Sequence, residues 1–335
     1  MAVFTQVSPA EVHLLLRRID PAAQLRALEP IGTGIENTNY FVDAELALPQ
    51  EEGPSARLNP ADTSQPAPLQ RLVLTLFETH SADDVQIFGG ILTWWAQQGF
   101  PVPAPLRAAD SVFLNSVQGK PAFLSPRLPG NHVMTPDASH CRAVGTLLGQ
   151  MHLVAPQAPF SPPVRRDLAW MHQAQHRLTG QLPPESAIRL SLEIEHYARQ
   201  QELLLACPKG LIHGDLFRDN ALFSDHHISG LIDFYHSAWD ILLFDLAVVA
   251  IDWCRSGTDA LEPTRLQALL EGYRRERPWR EEESLAWPHL LRLAALRFWI
   301  ARLLSRYLPG YQQQATAGVP TKDPAELERL LANLP

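Results

Sequence analysis

Short apolar runs and helical periodicity divide the chain into two parts near residue 130. Before that point, apolar runs bounded by turn residues predict five strands, at 25–31, 40–42, 72–77, 112–114 and 121–125. Two helices are predicted among them, from Ser8 to Arg18 and from Ser81 to Gln98, each starting at a serine that can cap the first turn. Residues 46–70 show no periodicity and predict a flexible insertion loop.

Helical periodicity dominates the second part. Its first helix is predicted to start at Thr135 and Pro136, and five more are predicted at 167–180, 186–206, 245–254, 263–276 and 281–307. Two strand-like segments, 210–213 and 228–234, interrupt them. We therefore predict an α+β chain of two lobes, with a strand-rich lobe over 1–130 and a larger, mainly helical lobe over 131–335.

Composition and charge narrow the class of protein. The 335 residues are 46% hydrophobic and 19% charged, which is typical of a folded chain and excludes global disorder. The net charge of −8 disfavours a nucleic-acid partner. Three cysteines without CxxC spacing are too few for a disulfide framework or a structural zinc site. Without a signal peptide or an apolar run of about 18 residues, we expect a cytoplasmic protein with no membrane segment.

One segment carries oxygen ligands at a spacing that suits phosphoryl transfer. Asp215 is followed five residues later by Asn220, and Asp233 ends an apolar strand 18 residues beyond Asp215. Phosphoryl transfer needs a carboxylate to accept the hydroxyl proton, together with oxygen ligands that hold Mg²⁺ on the triphosphate. We predict Asp215 as the catalytic base and Asn220 and Asp233 as the metal ligands.

The run from His213 to Asn220 resembles the catalytic loop of the protein-kinase-like superfamily. The sequence His213-Gly214-Asp215 is typical of its aminoglycoside-phosphotransferase and choline-kinase branch. The resemblance implies a two-lobed kinase-like fold, with an N-terminal antiparallel sheet, one main helix beside it, and a mainly helical C-terminal lobe. It also implies that ATP lies in the cleft between the lobes.

A small polar loop between the first two predicted strands fits nucleotide binding. Gly32 and Gly34 would let backbone N–H groups approach phosphates, while Thr33, Thr38 and Asn39 would add side-chain donors. A common hairpin turn explains the same residues, and this alternative remains open.

The chain departs from protein kinases at the lysine that holds the nucleotide phosphates. Thr75 stands at that place in the third strand, and we group it with the nucleotide-binding candidates. Arg218, inside the predicted catalytic loop, is the candidate for neutralising the nucleotide charge. A structural ion pair is an equally good interpretation of Arg218.

Several further segments are similar to the bacterial homoserine kinase family of the phosphotransferase type. They are 3–5, 34–41, 74–78, 99–105, 213–220, 232–235, 252–254 and 296–299. The resemblance covers most of the chain, with 46–70 as an insertion. It implies ATP-dependent phosphorylation of L-homoserine to O-phosphohomoserine, a step toward threonine. The chain has no Walker A motif, which excludes the P-loop kinase route.

Homoserine carries an ammonium and a carboxylate besides its hydroxyl, so its pocket needs an acid and a cation. The candidates are four residues of the second lobe: Tyr235, Asp240, Asp252 and Arg297. An ion pair or a solvated helix face remains an alternative for the charged ones. Asp245 is expected to order the catalytic loop rather than to contact substrate.

Two alternative functions remain open. The first is a kinase of the same superfamily with another acceptor, such as an aminoglycoside, choline, methylthioribose or fructosamine; an aminoglycoside pocket should be strongly acidic. The second is a pseudokinase acting as a binding module, which the missing lysine favours. The joint presence of Asp215, Asn220 and Asp233 argues against it. The sequence does not indicate an oligomeric state.

Overall fold

The computed structural model describes residues 5–32, 37–47, 67–108, 110–255, 257, 259–308 and 322–335. The chain separates into two compact units. The first holds the chain up to Ala96 together with Pro103–Arg127, and the second holds Gln97–Val102 and most of the chain from Leu128 onward. The assignment of separate functions to two lobes that meet at residue 130 stays a prediction.

The first unit is built on a five-stranded antiparallel sheet in the order β1-β2-β3-β5-β4. The strands are β1 (Gln24–Pro30), β2 (Thr38–Glu45), β3 (Leu69–Leu76), β4 (Asn115–Val117) and β5 (Lys120–Pro126). Two helices accompany them, α1 (Pro9–Ile19) and α2 (Ala82–Gln97). Ser8 and Glu11 form a capping box at the start of α1, as the serine there indicates. Buried residues on one face of β2 alternate with partly exposed ones, which gives the sheet its core side.

The fourth strand lies three residues later than the apolar pattern predicts. Residues 112–114 form no strand, and Phe113 is instead buried against the ring of Phe123. The strand is β4, whose register is set by the two-residue turn Gln118-Gly119, both with positive φ. Three-residue strands carry too little periodicity to be located by pattern, because the turn rather than the side chains decides the pairing.

The second unit is mainly helical. Its helices are α3 (Ala138–Val154), α4 (Leu168–Arg177), α5 (Pro184–Arg199), α6 (Gln201–Leu205), α7 (Leu242–Trp253), α8 (Pro263–Glu276), α9 (Glu281–Tyr307) and α10 (Pro324–Asn333). Two antiparallel strand pairs lie among them: β6 (Lys209–Ile212) with β9 (Ala238–Ile241), and β7 (Ala221–Ser224) with β8 (His227–Leu231). No helix in the described part of the chain is both long and apolar enough to cross a membrane.

Several sequence-based boundaries in this unit are wrong, including the start of the helix predicted at 245–254, which begins at Leu242. The first helix begins after Asp137, not at Thr135, because the Asp137 carboxylate accepts the N–H groups of Ser139 and His140. The helix predicted at 186–206 is two helices, α5 and α6, which meet at Gln200. The segment predicted as one strand over 228–234 ends at Leu231, and β7 and β9, which pair with the predicted strands, were not expected.

The helix α7 fixes the geometry of the segments around it. Every residue from Leu242 to Ile251 is buried, so the helix packs on all sides. One of these residues is an aspartate, Asp245, whose exposed fraction is 1%. A buried carboxylate requires hydrogen-bonding partners, and those partners lie in the loop that follows β6.

Candidate active site

The loop between β6 and β7 brings the predicted base and one predicted metal ligand into contact. It includes a short 3₁₀ turn, Arg218–Asn220, just before β7. The Asn220 amide Nδ2 donates to the backbone oxygen of Asp215 at 2.8 Å and to its carboxylate Oδ2 at 3.1 Å. The Asn220 side-chain oxygen accepts no hydrogen bond from any described residue, which leaves it available as a ligand atom.

Asp233 is the second predicted metal ligand, and it comes two residues after β8. The backbone N–H of Ile232 donates to the Asn220 carbonyl at 3.0 Å, so the segment that carries Asp233 is hydrogen-bonded to the catalytic loop. Asp233 itself has φ of 68°, in the left-handed region that costs a non-glycine residue about 1–2 kcal/mol. Such strain is often found at functional positions. The amide and carboxylate oxygens of Asn220 and Asp233 form a donor set that suits Mg²⁺.

His213 is a structural member of this loop rather than a proton carrier. Its Nδ1 accepts the backbone N–H of Asp215 at 3.3 Å, and its Nε2 lies 3.0 Å from the carbonyl oxygen of Ile232. This pattern requires a neutral ring with the proton on Nε2. Burial lowers the pKa of His213 below its ordinary value, which favours the same neutral form. The imidazole therefore links the segments that carry Asp215 and Asp233.

The buried carboxylate of Asp245 anchors the start of the same loop. Its Oδ2 accepts the N–H of His213 and its Oδ1 accepts the N–H of Gly214, each at 2.7 Å. The Nε2 of His152 lies 3.4 Å from Oδ2, and burial lowers the pKa of that histidine. These contacts agree with the expectation that Asp245 orders the loop.

Gly214 occupies a place in the loop that no larger residue can take without a shift. Its φ is +81°, and a Cβ there would lie 2.4 Å from the carbonyl oxygen of His236. Both the backbone angle and the contact require glycine. The glycine of His-Gly-Asp thus lets the loop approach the segment after Asp233.

Arg218 and Asp252 form an ion pair, the structural alternative that the sequence left open for both residues. The Asp252 carboxylate accepts the backbone N–H of Arg218 at 2.8 Å, its Nε at 3.0 Å and its Nη2 at 3.2 Å. The remaining Nη1 donates to the carbonyl of Met134 at 2.7 Å. Through these contacts Arg218 braces the loop that carries Asp215, and its role in neutralising the nucleotide charge stays a prediction. The contacts of Asp252 in this structure are with Arg218, and its role as a substrate ligand stays a prediction.

The other three acceptor-site candidates line one cleft of the second unit. Tyr235, Asp240 and Arg297 border it, as does Gly214, the neighbour of Asp215. The cleft holds about 490 Å³ of empty space, a figure that includes open solvent. Its position beside the catalytic loop suits an acceptor hydroxyl that reacts near Asp215.

Inside the cleft, Arg297 and Asp240 form a buried ion pair. Arg297 Nη1 donates to Asp240 Oδ2 at 2.9 Å, and the guanidinium lies over the ring of Phe244, 4.4 Å from its centroid. Further polar residues line the same cleft and were not anticipated: Arg165, Arg166, His236 and Ser237. Arg165-Arg166 follows Pro162-Pro163-Val164, and this doublet of positive charges is the sequence signal for the cationic side of the cleft.

The nucleotide-binding candidates of the first unit have other partners. Thr38 is buried, and its hydroxyl donates to Glu78 Oε1 at 2.6 Å while accepting the N–H of Thr5. Thr75 donates to Asn39 Oδ1 at 2.8 Å. The single hydroxyl proton of Thr38 is thus used by Glu78 in this structure, and a contact between Thr38 and a phosphate stays a prediction. Gly32 is exposed, and Thr33 and Gly34 lie outside the described residues.

Glu78 collects these contacts in a small polar cluster. Besides Thr38, its carboxylate accepts the hydroxyl of Thr5 at 2.9 Å and pairs with the Lys120 ammonium. Burial raises the pKa of Glu78, but the hydrogen bonds from Lys120, Thr38 and Thr5 outweigh it, so the net pKa lies below the ordinary value. The cluster stabilises the ends of β2, β3 and β5.

Comparison with a family profile identifies the fold and the kind of chemistry. The profile of the phosphotransferase enzyme family matches residues 27–279, well over half of the chain. The match includes the loop with Asp215 and Asn220, the segment with Asp233 and helix α7.

Individual relatives give a narrower comparison. The homoserine kinase of Pseudomonas aeruginosa strain UCBPP-PA14 is 35% identical over 334 residues, covering 99% of this chain and 96% of that protein. The homoserine kinase of Cupriavidus taiwanensis is 37% identical over 339 residues, covering 99% and 94%. Both comparisons therefore run over nearly the full length of each partner.

Solved structures share the fold at lower sequence identity. Amicoumacin kinase hAmiN, in complex with AMP-PNP, Ca²⁺ and Ami, aligns with a TM-score of 0.63 at 16% identity, covering 98% of this chain and 93% of that chain. Aminoglycoside 2'-phosphotransferase-IIIa, in its GDP complex, aligns with a TM-score of 0.62 at 14% identity, covering 98% and 99%. At these identities the likeness establishes the kinase-like α+β fold alone.

Proposed function

Because this chain belongs to the phosphotransferase enzyme family, we propose that it is a homoserine kinase that converts ATP and L-homoserine into ADP and O-phospho-L-homoserine. The observation that carries this proposal is the near-full-length identity of 35% to a relative named homoserine kinase. The kinase-like fold and the loop of Asp215 and Asn220 agree with it. We expect the product to lead toward threonine and the enzyme to act in the cytoplasm.

In the proposed reaction, the hydroxyl oxygen of homoserine attacks the γ-phosphorus of ATP. The new oxygen–phosphorus bond forms as the bond from the γ-phosphorus to the β,γ-bridging oxygen breaks, and ADP leaves. Asp215 accepts the hydroxyl proton, and its carboxylate is held for this role by the Asn220 amide at 3.1 Å.

Asn220 and Asp233 would hold Mg²⁺. Their side-chain amide and carboxylate oxygens are hard ligands, and a bound Mg²⁺ would neutralise charge on the phosphates. The hydrogen bond between Ile232 and Asn220 keeps these two ligands on adjacent segments. His213, with its proton on Nε2, maintains that link without exchanging a proton itself.

For the nucleotide, we propose contacts from the first unit through the loop that contains Gly32, Thr33 and Gly34, followed by Asn39 and Thr75. The backbone N–H groups of a glycine-rich loop are suited to phosphate oxygens. The hydroxyl of Thr75 donates to Asn39, so we expect Thr75 to position Asn39 rather than to bind phosphate itself.

The charge of the cleft favours homoserine over the other acceptors of this superfamily. Three arginines line it, Arg165, Arg166 and Arg297, against one aspartate, Asp240. An aminoglycoside carries several ammonium groups and choline a fixed positive charge, so both would be repelled by such a lining. A carboxylate-bearing acceptor would be attracted.

The test is an ADP-release assay with Mg-ATP and a panel of acceptors: L-homoserine, L-serine, choline, kanamycin and methylthioribose. L-Serine is the matched control, because it has the same charged groups and one methylene fewer. We expect ADP release with L-homoserine alone. Release with a different acceptor would leave the kinase chemistry standing and refute the homoserine assignment. If the protein binds ATP without turnover of any acceptor, it is a binding module.

A further inference from the structure

We propose that the Asp240–Arg297 pair and Ser237 form a clamp for the α-amino-acid end of the acceptor. The Nε edge of Arg297 and the Ser237 hydroxyl would bind the carboxylate, and Asp240 would bind the ammonium. This inference rests on the proposed function, and it assigns the residues that would distinguish an amino acid from other alcohols.

The first observation is a buried arginine whose hydrogen bonding is incomplete. Arg297 is 5% exposed, and its hydrogen bond within the described chain uses Nη1, which donates to Asp240. Its Nε is buried and has no hydrogen-bond partner among the described residues. In a guanidinium, Nε–H and one Nη2–H point the same way and form a fork that matches the two oxygens of a carboxylate. Because the contact with Asp240 uses Nη1, it does not use the edge formed by Nε and Nη2, which is the edge that can bind a carboxylate bidentately.

A second, independent observation lies in the same cleft. Ser237 is 6% exposed, and its Oγ is likewise buried without a hydrogen-bond partner among the described residues. A buried hydroxyl without a partner costs about 1–3 kcal/mol, so a protein gains nothing from it in the absence of a ligand. Ser237 lines the cleft together with Arg297. Two residues that line one cleft thus each carry a buried polar atom without a partner, and a polar ligand in the cleft could satisfy both.

Asp240 supplies the opposite charge at the same place. It is 8% exposed, and its carboxylate accepts from the backbone N–H of Ile241 at 2.8 Å and from Arg297 at 2.9 Å. A carboxylate has about four lone-pair positions, so it can accept an ammonium as well. A buried ion pair adds little net stability because desolvation offsets the attraction. Placing both charges beside the reactive loop suits recognition of a zwitterion.

The other charged residues of the cleft favour binding of the acceptor's carboxylate. Arg165 and Arg166 also line it, and the guanidinium of Arg166 lies 5.3 Å from the ring centroid of Phe298. These arginines add positive potential at the cleft, while Arg297 and Ser237 supply the buried contacts. An acceptor with an ammonium alone would meet one carboxylate and three guanidinium groups.

Two truncated acceptors separate the halves of the clamp. 3-Amino-1-propanol is homoserine without its carboxylate, and 4-hydroxybutanoate is homoserine without its ammonium. We expect Ser237→Ala to raise KM for L-homoserine and for 4-hydroxybutanoate about ten-fold, and to leave KM for 3-amino-1-propanol unchanged. Arg297→Lys keeps the charge but loses the fork, and we expect the same pattern with a larger rise. Because Ser237→Ala removes a buried hydroxyl without a partner, it should fold normally.

Ser186 provides the matched control. It is a buried serine of the same unit, 8% exposed, and it does not line the cleft. We expect Ser186→Ala to leave KM for all three acceptors unchanged. The complementary variant Asp240→Asn should raise KM for L-homoserine and 3-amino-1-propanol and spare 4-hydroxybutanoate, provided that its thermal unfolding midpoint shows a folded protein.

Calorimetric titration of L-homoserine into the native protein and into Ser237→Ala separates this inference from the proposed function. Native turnover of homoserine with a KM that Ser237→Ala and Arg297→Lys leave unchanged, or raise equally for all three acceptors, would refute the clamp and keep the kinase. Binding that weakens in Ser237→Ala without any turnover would keep the clamp and refute the kinase. If the native protein binds no homoserine, both are wrong.

Discussion

The buried carboxylate of Asp245 accepts the backbone N–H of His213 at 2.7 Å, joining helix α7 to the catalytic loop across 32 residues of sequence. A second N–H, from Gly214, reaches the other oxygen of the same carboxylate. A hydrogen bond to a charged acceptor is stronger than one between neutral groups, and both of these hydrogen bonds lie in the protein interior, away from water. The loop that carries Asp215 is therefore held by its backbone, independently of the side chains that perform chemistry.

Replacing Asp245 tests this anchor. Asn at this position keeps one oxygen acceptor but turns an NH₂ group toward the second backbone N–H, so a buried donor loses its partner. We expect Asp245→Asn to lower the free energy of unfolding by about 2–3 kcal/mol and to lower kcat as well. Urea denaturation and ADP-release kinetics measure the two effects. An unchanged urea midpoint of unfolding together with normal turnover would show that the loop does not depend on the Asp245 carboxylate.

Replacing Asp215 tests the proposed base. Asp215→Asn preserves the size of the side chain and removes its ability to accept a proton, so kcat should fall by about 10²–10⁴-fold with ATP binding retained. Asp219→Asn is the control, because Asp219 belongs to the same loop and its exposed carboxylate faces Lys322 at 3.2 Å. Turnover by Asp215→Asn at the level of Asp219→Asn would contradict the assignment.

Gly214 allows a comparison between two glycines with similar backbones. Gly214 and Gly180 have φ of +81° and +75°, but a Cβ at Gly180 would meet no atom within 4 Å. Gly180→Ala should cost only the left-handed penalty of about 1–2 kcal/mol and keep normal kcat. Gly214→Ala should cost more and reduce kcat, because its Cβ would displace the His236 carbonyl. Thermal unfolding and steady-state kinetics of both variants measure the two losses of stability and of kcat. Equal losses in the two variants would show that the contact with His236 does not matter.

The pairing of Asp252 with Arg218 predicts a particular kinetic pattern. Asp252→Asn weakens the contacts that brace the catalytic loop, so kcat should fall about ten-fold while KM for the acceptor changes little. Steady-state kinetics separate the two parameters. Asp259→Asn, which alters an exposed pair with Arg329, should leave both unchanged. A raised acceptor KM with normal kcat would restore the earlier expectation that Asp252 binds substrate.

Two buried histidines make the stability of the second unit depend on pH. Burial lowers the pKa of His152 and of His213 in the folded chain below the ordinary value of 6.5. As the pH falls below 6.5, the unfolded chain takes up protons that the folded chain does not, so the free energy of unfolding decreases. The slope should reach about 1.4 kcal/mol per pH unit for each histidine until the folded groups titrate.

Urea denaturation between pH 7 and pH 5 measures this slope. The variant His152→Gln removes one titrating group and should reduce the slope by the share of one histidine. A free energy of unfolding that stays constant over this range, or one that rises on acidification, would contradict the neutral buried state of both rings.

The sequence was sufficient to group Asp215, Asn220 and Asp233, because all three fall within a short stretch that can fold back on itself. In the structure, Ile232 donates to the Asn220 carbonyl and the Asn220 side chain contacts Asp215, so these segments lie together as expected. The five-stranded sheet was likewise predictable in most of its strands, since alternation along β2 and apolar runs in β3 and β5 carry the signal. The roles of Asp215 as the base and of Asn220 and Asp233 as metal ligands remain predictions.

Contacts between residues that are far apart in the sequence could not be predicted in the same way. Arg218 and Asp252 are 34 residues apart, and nothing in the local pattern distinguishes a carboxylate that pairs with a loop from one that faces a ligand. The same limit applies to Thr38, whose hydroxyl is taken by Glu78, 40 residues away. Charge and residue type indicated that these groups are important, and only the packing of distant elements decided what each of them contacts.

Helix α7 holds the catalytic loop at two points, Asp245 and Asp252, and the adjacent Trp253 donates to the Leu216 carbonyl at 3.2 Å. Asp252 lies seven residues after Asp245, which is about two helical turns and places both carboxylates on the same side of the helix. Inserting or deleting one residue between them would rotate the second carboxylate by about 100° and separate it from Arg218. In a lineage of such enzymes, this stretch must therefore keep its length, while its buried apolar residues can be exchanged for others of similar volume.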